Sequence, residues 1–365
     1  MGIETLDGHA MRNENVRRGI WTSPVACSCR PSRAFALALG VVLGWFASSA
    51  GAESPASGPD VILVVGAEGE PEYGKVFSGW ADRWEQAARQ AGGKITRIGD
   101  KVPEDPAGSS DRDRLQSVLA AVDPAVSQPV WIVLMGHGTF TQNVAKFNLR
   151  GPDLSAADLS GWLQGVTRPV VVINTFSASG PFINSLSHPN RVIVSATQSG
   201  IEQNYARLGE YLSQAILDPA ADIDHDGEVS ILEAYLAGAA KVRAFYEGSG
   251  RLLTENALID DNADGLGTPA TAFRGVRPVA KADDPTRSLD GRLAAKITMS
   301  PESVRLPFTV EELAEREVLE GELERLRASR SELAEADYQA AVLPLFIRLA
   351  KLYQAAEARM TTASP

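Results

Sequence analysis

The chain has 365 residues, of which 22% are charged, and a formal net charge of −11. An acidic chain without a basic block argues against nucleic acid as the main partner. The length allows one sizeable α/β domain plus additions, and with only two cysteines no disulfide framework is expected.

Residues 1–52 read as an export signal. Arg12, Arg17, Arg18, Arg30 and Arg33 form a basic region ahead of the apolar run Ala34–Phe46, which is too short for a permanent membrane span. Ala50-Gly51-Ala52 has the small residues of a cleavage site, so the expected mature chain begins near Glu53 and is periplasmic or secreted. Cys27 and Cys29 both precede the cut, which leaves neither a disulfide nor a thiol nucleophile.

Residues 53–220 are expected to form the α/β domain. Val61–Gly66, Lys94–Ile98, Val130–Met135, Val170–Ile173 and Arg191–Ala196 read as strands, mostly as short β-branched or apolar runs. Between them lie helical patterns at Tyr73–Ala91, Asp111–Val122, Ser155–Val166, Ala178–Leu186 and Ala206–Leu217. Ser155 with Asp158 offers a capping box, and Pro181 is tolerated only in a first helical turn. Strands alternating with helices predict a mainly parallel sheet covered on both faces.

Asp222, Asp224, Asp226, Gly227, Glu228, Ser230 and Glu233 match an EF-hand calcium loop at each diagnostic position. Calcium takes roughly six to eight oxygens, which alternate residues of a turning loop supply. Asp222, Asp224 and Asp226 offer carboxylates, Glu228 its carbonyl, Ser230 a contact through water, and Glu233 two oxygens. Val229 is the apolar residue that pairs with a second loop or the core. Pro219 argues against a regular entering helix, so residues 221–247 are expected to be a loop with only an exiting helix. Residues 248–308 are irregular and rich in Asp and Gly. Asp260-Asp261-Asn262-Ala263-Asp264-Gly265 begins a similar loop, but Thr271 stands where the bidentate glutamate belongs; it reads as a polar turn, with a second ion as the alternative. Residues 309–359 are expected to form a helical hairpin turning near Ser329–Ser331, interrupted at Pro344, with self-association through its apolar faces as one role.

Two strand ends carry chemistry. Val130–Met135 runs into Gly136-His137-Gly138, and Val170–Ile173 runs into Asn174-Thr175-Phe176-Ser177-Ala178-Ser179-Gly180. Carboxyl ends of central parallel strands are where ligands collect in open α/β sheets. This order resembles the caspase-like peptidases, above all their legumain-like branch, over roughly residues 60–240. The resemblance implies His137 as general base and places Ser177 where that family carries its cysteine. Two readings follow: a calcium-binding pseudopeptidase that binds a peptide or protein partner or acts as a scaffold, and a hydrolase in which His137 activates Ser177. Ser177 as a helix N-cap is the bland alternative. No GxxxxGK[ST] or GxGxxG stretch points to a nucleotide.

Overall fold

The computed structural model describes residues 58–100, 108–279, 289–299 and 306–363. The export signal and the predicted cleavage site lie outside the described residues.

Strands β1 (Asp60–Val65), β2 (Lys94–Ile98), β3 (Val130–Met135), β7 (Val170–Asn174) and β8 (Arg191–Ser195) form the parallel body of a seven-stranded sheet. Between β3 and β7 a separate three-stranded sheet is inserted, made of β4 (Gly138–Thr141), β5 (Val144–Phe147) and β6 (Leu154–Ser155). Two short strands, β9 (Leu258–Asp260) and β10 (Thr268–Pro269), extend the large sheet beyond β8 in antiparallel steps. The strand order is β10-β9-β8-β7-β3-β1-β2. The sheet thus reaches into a segment that composition marks as irregular. A three-residue and a two-residue strand are too short to show a period.

Alternation within each strand divides the core. In β1, Val61, Leu63 and Val65 face one layer, and Ile62 and Val64 face the other. The first layer holds α1 (Pro71–Gln90), α5 (Leu208–Ala215) and α6 (Ile231–Gly248); the second holds α2 (Asp111–Ala120), α3 (Ala156–Trp162) and α4 (Pro181–Leu186). All six residues of β3 are buried, as a central strand covered on both faces requires. The predicted α/β class, with a mainly parallel sheet between helices, is the architecture observed.

Local chemistry sets several boundaries. Ser155 and Asp158 form the reciprocal capping box that starts α3. The helix then tightens to a 3-10 turn at Leu163–Gly165 instead of continuing to Val166. Helix α4 begins at Pro181, three residues later than the sequence pattern suggests, because Ala178 takes a left-handed backbone with φ +60°. At the C-terminus α7 (Val310–Ala328) and α8 (Glu335–Ala363) pack through Leu319, Leu323, Val342 and Leu345. Pro344 lies inside α8. Among the described residues, no helix is long and apolar enough to cross a membrane.

Candidate functional site

Register brings the two singled-out strand ends together. β3 and β7 are neighbours, with Leu134 opposite Asn174, so the residues that follow them emerge at the same edge. The Thr175 N–H and hydroxyl both bond the Leu134 carbonyl, at 3.0 and 2.9 Å, which carries the pairing one residue further. Two residues later, the Ser177 Oγ accepts from the Gly138 N–H and donates to the Gly138 carbonyl, both at 3.2 Å. Gly138 is needed at this approach: a Cβ there would fall 2.1 Å from the Ser177 carbonyl oxygen.

His137 is oriented from β1's side of the edge. Its Nε2 lies 3.3 Å from the Glu68 carbonyl. A carbonyl only accepts, so this contact places the proton on Nε2 and leaves Nδ1 as the basic nitrogen. The ring sits edge-on to Tyr73 and Phe77, with centroids 4.8 and 5.1 Å away, and beside Tyr205 at 6.4 Å. Burial among these rings holds the imidazole pKa below its usual 6.5, against the opposing pull of the Glu68 carbonyl. The folded state therefore favours neutral His137. Its contribution to stability is present above pH 6.5 and is lost as pH falls through the lower folded value. An NMR titration of the full chain should place the His137 ring midpoint below 6.5; a midpoint at or above it would contradict the enclosed position.

Among the described residues, no hydrogen bond links His137 to Ser177. Neither Glu202 nor Asp153 bonds the imidazole. The Glu202 side chain accepts from the Gln198 N–H and from the Asn256 backbone and amide. Asp153 accepts from the Leu149 N–H. Ser177 is only 4% exposed, and the left-handed Ala178 beside it is held by its N–H to the Glu202 carbonyl at 2.8 Å. Behind it, Gly180 donates to Thr197 Oγ1, while Ser195 bonds Ser179 at 2.8 Å. A Cβ on Gly180 would meet the backbone at Gln198 and Ser199 at 2.4 Å. The Ser177 turn is thus fixed on both sides. Ser177 does not cap a helix, since α4 starts with Gly180 in the capping position and no side-chain cap bond.

The second site lies on the loop between the 3-10 turn Pro219–Ala221 and α6. Ligand atoms of Asp222, Asp224 and Asp226 lie within 4.8 Å of one another. Gly227 takes φ +90°, as the sharp turn needs. The Glu233 carboxylate accepts from the Ile223 and Asp224 N–H groups through Oε1, and from the Ser230 N–H and hydroxyl through Oε2. It closes the loop and forms the capping box of α6 at the same time. The Thr298 hydroxyl reaches the Glu228 side chain at 3.3 Å, and Ser230 forms an isolated antiparallel bridge with Thr298. Val229 packs on the main core. The Asp224 carboxyl is pushed up to about 6, by desolvation and by the charges of Asp226, Glu233 and Asp222. Asp224 is exposed, and the carboxylates of Asp226, Glu233 and Asp222 crowd it. A hard divalent cation fits this donor set of several mutually repelling oxygens, of which Asp226 also feels the Arg316 charge.

No protein-family model and no curated protein matches the chain. Among solved structures it is similar to the Drosophila initiator caspase Dronc, at 16% identity and a TM-score of 0.38, covering 59% of this chain and 83% of that one. It is also similar to Raptor from Chaetomium thermophilum, at 12% identity and a TM-score of 0.30, covering 44% of this chain and 18% of that one.

The residues that enclose His137, namely Tyr73, Phe77, Tyr205 and the Glu68 carbonyl, are not singled out by sequence spacing. Tyr73 and Phe77 read there as part of a helix pattern. A backbone carbonyl leaves no trace in side-chain types.

Proposed function

We propose that this protein is an exported, calcium-binding pseudopeptidase: a caspase-like domain that holds a peptide or protein partner without cleaving it. The observation that carries this reading is the Ser177 hydroxyl, which is buried and bonded both ways to Gly138. A serine needs an adjacent base to become a nucleophile. Its proton goes here to a carbonyl, while the nearest imidazole is anchored to Glu68. The caspase-like assignment is supported by the pairing of the His137 and Ser177 strands. The calcium assignment is supported by the Asp222, Asp224, Asp226, Glu228, Ser230 and Glu233 donor set, which would hold the ion and stiffen the start of α6. Export rests on the basic, apolar and small-residue order of residues 1–52. Self-association through the C-terminal hairpin rests on Leu343, Phe346 and Ile347, which stay exposed on α8.

The test is turnover of peptide and ester substrates by the mature chain in calcium, beside Ser177→Ala. Equal, background rates are expected. A rate that drops about 100-fold or more on removing the hydroxyl would establish the hydrolase reading instead, since nucleophile loss has effects of at least that size.

A further inference from the structure

The segment Asp260–Thr268, a polar turn by sequence, repeats the turn geometry and part of the bonding of the calcium-type loop; the bonds that Asp222 accepts from the Asp226 and Gly227 N–H groups have no counterpart at Asp260. In the first loop His225 and Gly227 have φ +60° and +90°; at the matching places Ala263 and Gly265 have +66° and +73°. The Asp226 N–H donates to Asp224 Oδ1 at 3.3 Å, and the Glu228 N–H to Asp226 Oδ1 at 2.9 Å. Their counterparts are the Asp264 N–H to Asn262 Oδ1 at 2.9 Å and the Leu266 N–H to Asp264 Oδ1 at 2.7 Å.

What the sequence lacks is the closing carboxylate, and another segment supplies it. In the first loop Glu233 Oε1 accepts from the second and third N–H groups, at 2.8 and 3.2 Å, and Oε2 from the hydroxyl of Ser230, the ninth residue. In the second loop Asp290 Oδ1 accepts from the Asp261 and Asn262 N–H groups, at 2.9 and 3.2 Å, and Oδ2 from the hydroxyl of Thr268, again the ninth residue. Asp290 is itself held in place, because Asp261 accepts from the N–H groups of Gly291, Leu293 and Ala294.

Resemblance of loops alone would leave a well-made turn. The independent observation is Asp260, the first residue of the loop. Its side chain is fully buried, and neither carboxylate oxygen completes a hydrogen bond, although the Ser187 hydroxyl and the Gly265 N–H lie near enough to favour its charge. Asp264 and Asp290 add negative charge around it. Among the described residues, no lysine or arginine forms an ion pair with Asp260, Asp264 or Asp290. A buried carboxylate with no completed hydrogen bond and no ion-pair partner is strongly unfavourable unless a cation or a proton meets it.

We propose that Asp260–Thr268 is a second divalent-cation site of calcium type, with Asp260, Asn262 and Asp264 as loop ligands and Asp290, from a distant segment, as the closing carboxylate. It joins the edge of the main sheet to the 289–299 segment, which in turn bridges the first loop at Thr298.

The test is calorimetric titration of the EDTA-stripped mature chain with calcium. Wild type is expected to take two equivalents. Asp290→Asn and, separately, the partly exposed Asp264→Asn should each take one, Glu233→Gln should take one, and Glu233→Gln combined with Asp264→Asn none. Circular dichroism verifies that each variant is folded; Asp264→Asn carries the test if Asp290→Asn does not fold. One equivalent in wild type that Glu233→Gln removes would overturn the second site and leave the first. One equivalent that survives Glu233→Gln and is lost in Asp264→Asn would support the second site alone. Full stoichiometry in Asp264→Asn, or no binding in wild type, overturns the proposal.

Discussion

Glu233→Ala should lose about 1.5–5 kcal/mol of stability in calcium, and with it the calcium response of the first loop. Glu233 is 2% exposed and holds four donors, the N–H groups of Ile223, Asp224 and Ser230 and the Ser230 hydroxyl. Losing its half of a capping box costs about 0.5–2 kcal/mol. Buried donors left without an acceptor cost about 1–3 kcal/mol more. Part of this returns when calcium is absent, because the crowded carboxylates Asp222, Asp224 and Asp226 then lose one like-charged neighbour. Urea denaturation with and without calcium separates the contributions. A loss under about 1 kcal/mol in both conditions would contradict the double role assigned to Glu233.

Trp80→Ala should cost about 3–5 kcal/mol by the same assay, as expected for deleting a large buried aromatic side chain. Trp80 is fully buried on α1, and its indole N–H donates to Glu210 on α5. Helix α5 lies so close that a Cβ on Gly209 would fall 2.2 Å from the Trp80 ring. The consequence extends to the site. Trp80 stacks edge-on to Phe77, which in turn encloses His137. Loosening that cluster admits water, so the His137 midpoint should rise toward 6.5. Unchanged stability and an unchanged midpoint would mean that the aromatic cluster does not support the imidazole.

The parts of the molecule that the sequence shows plainly are those with a period or a continuous apolar run. The five parallel strands, the α3 capping box at Ser155 and Asp158, and the helical hairpin all have such patterns. The β4–β5 hairpin does not. Its two-residue turn is Gln142-Asn143, with φ +52° and +61°, at places where glycine or Asn-Gly is the usual marker. The turn after β7 was hidden for a similar reason, since nothing about Ala178 announces a left-handed backbone. It delays α4 and tucks Ser177 against Gly138 instead of presenting it to solvent. The order of His137 and Ser177 could be read from the chain, and so could their place at strand ends. The direction of each hydrogen bond could not, and it is those directions that decide between a base with its nucleophile and two independently anchored side chains. Asp290 is the extreme case: its match to Glu233 exists only in space.

The central claim is that the Ser177 hydroxyl is committed to Gly138 and is not activated by His137. The most direct measurement is intact-mass spectrometry of the mature chain in calcium after exposure to a fluorophosphonate, with His137→Ala as the control. The account predicts no adduct on either protein. An adduct mapped to Ser177 that disappears in His137→Ala would show a working nucleophile and base, and would contradict it.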